Sequence, residues 1–377
     1  MPTIWSYADP ANRGFGLFKR LVLSALEAHG WTTRLALQPL LDPASKAKLR
    51  DDLLNNQPDW ILLINQSAGQ LYDYLEIENS RRPLPSKKLI WYLDDPEFFI
   101  DRPFEPYEYV FSFDETYLDG VKKHNPALYG FWPLAADMDA PGQYDARFAC
   151  DVCFVGGAID QSARREQLSP VMQNYVNELV ELKLQHREKT FTDLSIEHPI
   201  EPGKCIQIQP QVANYLYWEA NNRYRIRTLE TLIDLDLRIY GNEDWPILLK
   251  DSPLLEKFHG PIDPVNELPH AFASAKINLN IHSVQCRGSL NQRDFNAPVA
   301  GGFLLSDWAP AAARYFAPGC EAAYWSDRDD LHAQVNYYLD HTDERRQIVQ
   351  QGAHCVQNKH TYHHRVANLL EMLSGKI

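Results

Sequence analysis

The feature that most constrains the fold is a pair of short, continuously apolar runs, WILLI at residues 60–64 and LIWYL at residues 89–93. A strand with one face in solvent alternates apolar and polar residues, whereas a strand covered on both faces does not. Sheets covered on both faces are typically parallel and flanked by helices. The two runs therefore predict an α/β domain built on a parallel sheet.

The surrounding sequence alternates strand-like and helix-like segments. Residues 15–29 carry leucines on or near one helical face, and residues 44–55 form a second predicted helix. Further strands are predicted at residues 3–8, 32–38, 109–113 and 129–133. Repeated β-α-β units with right-handed crossovers predict a six-stranded, doubly wound sheet.

A second α/β pattern follows a linker-like segment at residues 136–149. Its predicted strands lie at residues 151–155, 235–241, 276–282, 301–307 and 322–326. A polar helical segment spans residues 162–234, and the last predicted helices lie at residues 329–339, 343–358 and 361–373. Because 377 residues exceed a typical single core, we predict two Rossmann-like doubly wound domains that face a central cleft.

The charge balance excludes one broad class of partner. The chain carries 37 basic and 50 acidic residues, a net charge of −13, and phosphate backbones require clustered cations instead. No run approaches the roughly 18 apolar residues of a membrane span, and no signal peptide precedes the first strand. We therefore expect a cytoplasmic protein without nucleic-acid or membrane partners. The six cysteines, including the Cys150–Cys153 pair, read as reduced structural thiols.

The richest candidate site occupies residues 287–307. A polar loop there leads into a short helix, and a helix N-terminus at the carboxyl end of a parallel sheet binds phosphate readily. Guanidinium groups clamp diphosphates, and an amide binds ribose hydroxyls. The candidate donor-binding residues here are Arg287, Arg293, Asn296, Gly301 and Gly302. Salt bridges to local acids such as Asp294 are the structural alternative.

Glycines that end other predicted strands extend this candidate site. Gly156 and Gly157 follow the strand at residues 151–155, and Gly241 follows the strand at residues 235–241. Glycine lets the backbone approach a ligand closely. We expect the three glycines and Asn296 to hold the nucleoside of a nucleotide.

The first strand leads into a loop that also suits a ligand. Asn12, Arg13, Gly14 and Gly16 lie there, and we assign them to an acceptor or phosphate loop. Position 19 is lysine, so the loop is not a complete dinucleotide fingerprint, and a plain tight turn is the alternative.

Three residues are candidates for catalysis. Asp94 and Asp95 follow the strand at residues 89–93, where carboxylates act as a general base or bind a divalent metal. Asp95 before Pro96 also suits helix capping. His282 is the third candidate, at the end of a later strand. Two further clusters are not assigned to the site. Arg223 and Arg227 are predicted to lie on a solvated helical face. The histidines at 360, 363 and 364 have the spacing of metal ligands on a helix, but no acidic residue lies near them in the sequence, so we do not predict a metal site there.

Several segments, through their order and spacing along the chain, resemble the CgeB-like (spore-maturation protein) glycosyltransferases, which have the two-domain GT-B architecture. They are DVCFVGG at 151–157, AKINLN at 275–280, NQRDFN at 291–296, AGGFLL at 300–305, DDL at 329–331, ERR at 344–346, HTYHHR at 360–365, WYLDDP at 91–96 and PLAAD at 133–137. The resemblance implies an acceptor-side domain at residues 1–140 and a donor-binding domain at 150–358. It also implies that residues 359–377 cross back to the first domain.

The same resemblance implies a metal-independent transfer of a sugar from a nucleoside diphosphate to an acceptor. The sequence departs from related retaining enzymes at two positions, because their paired glutamates would fall at Gly288 and Asn296. A non-catalytic nucleotide-sugar binder or scaffold of a surface-glycan pathway is therefore the first alternative. A nucleotide-sugar epimerase is the second.

Overall fold

The computed structural model describes residues 1–10, 13–39, 41–78, 84–100, 102–138, 140–201 and 210–375. The strands are β1 (Thr3–Ala8), β2 (Thr32–Leu37), β3 (Trp60–Ile64), β4 (Lys87–Tyr92), β5 (Glu108–Ser112), β6 (Leu128–Phe131), β7 (Val152–Val155), β8 (Leu237–Tyr240), β9 (Ile277–Asn280), β10 (Leu304–Asp307) and β11 (Ala323–Trp325).

The α-helices are α1 (Arg13–Ala28), α2 (Pro43–Asn56), α3 (Ala68–Tyr74), α4 (Leu118–Lys122), α5 (Ser162–Glu166), α6 (Pro170–Gln185), α7 (Phe191–Glu197), α8 (Pro210–Glu230), α9 (Asp244–Leu248), α10 (Leu268–Ser274), α11 (Gln292–Val299), α12 (Ala312–Tyr315), α13 (Arg328–Asp340), α14 (Thr342–Lys359) and α15 (Tyr362–Met372). None of these described helices combines the length and apolarity that a membrane span needs.

The chain divides into two compact units. Unit 1 comprises Met1–Asp137 and Thr361–Ile377, and unit 2 comprises Met138–His360. Unit 1 holds a parallel sheet of strand order β2-β1-β3-β4-β5-β6, and unit 2 a parallel sheet of order β11-β10-β9-β7-β8. Every residue of β3 is buried, as a strand covered on both faces requires.

Helix α15 completes unit 1 from the far end of the sequence. The buried indole of Trp132 donates a hydrogen bond to the carbonyl oxygen of Arg365 over 2.8 Å. The guanidinium of Arg365 in turn donates to the carbonyl oxygen of Leu134 over 2.9 Å. The ring of Tyr362 packs against Phe18 of α1. Polar bonds and aromatic contacts thus fix a helix separated from its neighbours by more than 200 residues.

The prediction of two doubly wound α/β domains is confirmed by these sheets, and each predicted strand has its counterpart. The short helices α3, α4, α9, α10 and α12 were not predicted. They have seven, five, five, seven and four residues. An amphipathic period needs about 11 residues to be recognised, so such segments carry too little pattern.

Two glycines offer a matched test of the packing. A Cβ at Gly302 would lie 2.3 Å from Asn278 Nδ2 and 2.5 Å from the carbonyl oxygen of Phe272, whereas a Cβ at Gly120 in α4 meets nothing within 4 Å. We expect Gly302→Ala to destabilise the protein by about 1–3 kcal/mol, the usual cost of overpacking. Gly120→Ala should be neutral or stabilising by up to about 1 kcal/mol. Urea unfolding of both variants checks this, and equal midpoints would contradict the packing at Gly302.

Candidate active site

The carboxyl edge of the unit 2 sheet is organised by the start of α11. The side chain of Asn291 accepts from the backbone N–H of Arg293 over 2.9 Å, and Asp294 accepts from the N–H of Asn291 over 2.9 Å. This reciprocal capping satisfies helical N–H groups that would otherwise be unbonded. It also fixes the direction in which Arg293 leaves the helix, with its Nε bonded to Asn280 at the end of β9 over 3.1 Å.

A buried ion network lies directly beneath this helix start. His282 Nε2 is 2.7 Å from Asp294 Oδ2, and His282 Nδ1 is 2.5 Å from Asp307 Oδ1. Asp307 also accepts from Arg187 over 2.8 Å and from the Tyr224 hydroxyl over 3.0 Å. The network therefore connects the ends of β9 and β10 to α11, α8 and the chain after α6.

The carboxylates decide the charge of the histidine. Burial opposes the charged form, but Asp294 and Asp307 outweigh it and raise the pKa of His282 to about 10. The pKa of Asp307 is held well below its usual range by His282 and Arg187, although burial acts in the opposite direction. His282 is thus a fully buried imidazolium at neutral pH, with a carboxylate oxygen within 2.7 Å of each ring nitrogen.

Two guanidinium groups lie close together near this network. Arg225 on α8 is buried, and one of its terminal nitrogens donates to the carbonyl oxygen of Gly157. Burial first, and the charge of Arg293 second, lower the pKa of Arg225 to about 9. The buried Nε of Arg225 has no hydrogen-bond partner among the described residues. Two neighbouring cations and an unused donor make a local environment that an anion would stabilise.

Side chains from three elements fix the loop after β7. Asn242 donates to and accepts from the backbone of Ala158, with both bonds at 2.8 Å. Asn222 donates to the carbonyl oxygen of Ile159 over 2.8 Å, and the indole of Trp245 to that of Gly156 over 2.7 Å. The backbone at this loop is consequently held in place before any ligand binds.

The structure brings together most of the predicted donor-side residues. Gly156, Gly157 and Gly241 end β7 and β8, at the carboxyl edge of the sheet where α11 begins. Asn296 is buried in α11 and accepts from Gln292 over 3.2 Å. Arg287 lies in the loop between β9 and α11, where its charge acts on Asp193.

Gly301 and Gly302 require a correction. They lie between the C-terminal end of α11 and the start of β10, at the amino edge of the sheet and not at the carboxyl edge. Gly301 has φ 87°, which favours glycine, and Gly302 packs against backbone. Their positions are explained by a turn and by close packing, because a helix of eight residues carries the chain about 12 Å away from its N-terminus.

Unit 1 contains a cavity of about 460 Å³ at the carboxyl ends of its strands. It is lined by Tyr7, Ala8, Asp9, Gly16, Lys19, Ile64, Asn65, Gln66, Gln70, Tyr74, Asp94 and Phe99. The predicted residues Gly16 and Asp94 are therefore both in its wall. Asn12 lies outside the described residues, and Arg13 and Gly14 are described only as the backbone that begins α1.

Asn65 holds Asp94 at the rim of this cavity. Asn65 has φ 51°, a left-handed conformation that asparagine tolerates better than most residues. Its amide donates to Asp94 over 2.7 Å and accepts from the N–H of Leu93 over 2.7 Å. Burial raises the pKa of Asp94 to about 6, and the nearby Asp95 adds to this, while Asn65 opposes it.

The other two catalytic candidates have bonded surroundings of their own. Asp95 is fully buried and caps a short 3₁₀ helix by accepting from the N–H of Glu97 over 3.1 Å. Helix capping was the alternative to catalysis that the sequence offered for this residue. His282 belongs to the ion network. A catalytic role for Asp94, Asp95 or His282 stays a prediction. No cluster of three His, Cys, Asp or Glu side chains suited to a metal occurs in the part of the chain that the structure describes.

Sequence reasoning missed Arg225, Lys19 and Asn65. A signal for Arg225 was present, because Asn221, Arg225 and Leu229 follow the i, i+4 spacing of one buried helical face. Arg223 and Arg227 lie on another face, where both pair with Glu181. Lys19 and Asn65 carried no comparable signal, because each becomes a wall residue only when β1 and β3 pair.

The comparisons with known proteins agree with this architecture. Residues 222–371 match the family described as Glycosyl transferase-like. Sucrose-phosphate synthase from Thermosynechococcus elongatus is similar in structure, with 11% identity, coverage of 100% of this chain and 99% of that chain, and a TM-score of 0.61. HepE from Anabaena in complex with UDP-glucose has 10% identity, 100% coverage of both chains and a TM-score of 0.58.

A third solved structure is the DNA-modifying enzyme β-glucosyltransferase, with 11% identity, coverage of 98% of this chain and 99% of that chain, and a TM-score of 0.52. No curated protein sequence matches the chain. At these identities the structures establish the fold, which is GT-B. The match of residues 222–371 to the glycosyl transferase-like family agrees with this GT-B fold and supports glycosyl transfer as the activity.

The ion network predicts an unusual pH dependence of stability. Because the folded pKa of His282 is raised from 6.5 to about 10, its contribution is fully present below about pH 6.5 and is lost as the pH rises toward 10. At pH 7, His282→Asn should cost about 3–5 kcal/mol, since it removes the cation that lies between two buried carboxylates and leaves Asp307 with Arg187 alone.

The cost should shrink between pH 7 and pH 9.5, measured as urea midpoints of the variant and the parent. His332→Asn, an exposed position on α13, is the matched control and should show neither effect. A cost for His282→Asn that is the same at both pH values would contradict a buried imidazolium.

Proposed function

We propose that the protein transfers a sugar from a nucleoside diphosphate bound at the carboxyl edge of the unit 2 sheet to a hydroxyl of an acceptor bound by unit 1. HepE was crystallised with UDP-glucose, so uridine diphosphate is the donor nucleotide to test first. We also propose that the protein belongs to the CgeB-like group, that it is cytoplasmic and that the transfer does not require a metal ion.

The observation that carries the donor assignment is the pair of guanidiniums of Arg225 and Arg293 beside the start of α11. A diphosphate leaving group develops negative charge as the glycosidic bond breaks, and fixed cations stabilise that charge. The helix N-terminus adds a positive potential at the same edge. Arg187 also lies near this edge of the sheet, but it is paired with Asp307. We therefore assign it to holding the ion network in place and not to binding the diphosphate.

The first test compares two arginines of α8. Arg225→Met removes a buried cation from the proposed diphosphate site, whereas Arg227→Met removes a half-exposed cation that pairs with Glu181. We expect Arg225→Met to abolish the rise in thermal midpoint produced by UDP and to slow UDP release from UDP-glucose about 10²-fold or more. Arg227→Met should retain both. Equal UDP-induced shifts in the two variants would overturn the donor site.

On the acceptor side, we propose Asp94 as the general base that takes the proton of the acceptor hydroxyl. A base with a pKa near 6 is ionised at neutral pH and still accepts a proton well. Asn65 bonds only one oxygen of the carboxylate, Oδ2, and fixes its orientation.

The pH profile tests this role. In the parent, kcat/KM for UDP release in the presence of acceptor should rise as the pH increases through about 6, because the base must lose its proton. Asp94→Asn should lower the rate about 10²–10⁴-fold and remove that rise. Asp119→Asn, the same change at an exposed position of unit 1, is the control. A rise near pH 6 that survives in Asp94→Asn would assign it to another group.

The alternative of a non-catalytic binder makes a different prediction in the same experiments. Such a protein would show the UDP-induced thermal shift and its loss in Arg225→Met, with no UDP release under any acceptor condition. An epimerase would convert the nucleotide sugar without releasing UDP.

A further inference from the structure

The cavity of unit 1 has a chemical character that narrows the class of acceptor. Its volume of about 460 Å³ accommodates one or two sugar rings, within the usual range of small-molecule sites. It opens at the carboxyl ends of β1, β3 and β4, where β-α loops place polar side chains.

Two polar atoms of the wall are left for a ligand. The Asn65 amide occupies Asp94 Oδ2, while Asp94 Oδ1 has no hydrogen-bond partner among the described residues. The Tyr7 hydroxyl donates to Gln66 Oε1, and the Gln66 Nε2 amide likewise has no partner in the described part of the chain. The cavity thus offers one strong acceptor and one donor. A sugar hydroxyl matches both, because it donates to a carboxylate and accepts from an amide.

Aromatic rings supply an apolar wall beside these polar atoms. The rings of Tyr7 and Tyr74 are stacked at 6.1 Å between centroids, with an interplanar angle of 7°. Phe99 lines the cavity and stacks on Tyr92 at 5.8 Å. A pyranose has hydroxyls on its edge and C–H groups on its face, so it suits a wall of this mixed kind.

The charges that the described part of the wall carries disfavour an anionic ligand. Asp9 and Asp94 contribute two carboxylates, and Lys19 is the only cation among the lining residues that the structure describes. Lys19 Nζ already donates to the carbonyl oxygen of Tyr7 over 2.7 Å and lies 4.6 Å from the centre of the Tyr7 ring. A phosphate in this cavity would meet two like charges and a cation whose bonds are partly used.

We infer that the unit 1 cavity binds a neutral saccharide ring, and not a sugar phosphate or a phenolic compound, as the acceptor whose hydroxyl receives the transferred sugar. The inference rests on the proposed function for its role in transfer, although the binding itself is independent of it. A phenol carries a single hydroxyl with which to meet both polar atoms, whereas a pyranose presents several hydroxyls around its ring.

Saturation-transfer NMR on the full chain with saturating UDP tests the class of ligand. The probes are the methyl glycosides of glucose, galactose, mannose and N-acetylglucosamine, together with glucose 6-phosphate, fructose 6-phosphate and 4-methylumbelliferone. We expect transfer to the ring protons of at least one methyl glycoside and at least tenfold weaker transfer to both phosphates. Gln66→Leu and Asp94→Asn should each lose the glycoside signal, whereas Asp119→Asn should retain it.

Each outcome separates this inference from the proposed function. Transfer to a sugar phosphate or to the phenol in place of the glycosides overturns the neutral-saccharide assignment, as does transfer to no glycoside at all. In both cases, a UDP-induced thermal shift would leave the donor site standing. Glycoside binding that survives in both Gln66→Leu and Asp94→Asn places the sugar elsewhere and also overturns the inference. Glycoside binding without any response to UDP would support the cavity and refute the donor site.

Discussion

The buried imidazolium of His282 is the interaction on which the second unit depends. Parallel strands bring their carboxyl ends to one edge, and here Asp307 at the end of β10 and Asp294 in the first turn of α11 place two buried carboxyl groups at that edge. Asp294 and Asp307 would repel each other without the cation between them. By contacting both carboxylates, the histidine fixes the start of α11 relative to β9 and β10, and so fixes the direction of Arg293.

The same edge explains why part of the site was predictable and part was not. The apolar runs and the helix start at residues 291–296 are local patterns, and the strands, the helix and the placement of Arg293 followed from them. The environment of His282 depends on three segments that meet only in the folded sheet. A histidine that ends a strand reads equally well as a catalytic base or as a buried cation, and only the contacts with both carboxylates distinguish the two.

Gly301 and Gly302 show the opposite error. A glycine pair beside a helix that carries an arginine resembles a phosphate loop in the linear sequence, but the pair follows the helix and does not precede it. Phosphate binds the N-terminal end of a helix, where backbone N–H groups are exposed. The sequence pattern placed the glycines beside the helix without taking into account which end of the helix they adjoin. Arg225 was overlooked for a related reason: it stands between two arginines of a salt-bridged face, and its own face is recognised only from the i, i+4 spacing.

Unit 1 is built from two stretches of chain that are separated by the whole of unit 2. During synthesis, residues 138–360 leave the ribosome before α15 does, so the whole chain of unit 2 is available before the whole chain of unit 1. Until then the indole of Trp132 lacks the carbonyl group of Arg365, and Phe18 lacks the ring of Tyr362. Helix α15 therefore acts as a closing element: unit 1, whose strands are synthesised before those of unit 2, is completed after unit 2.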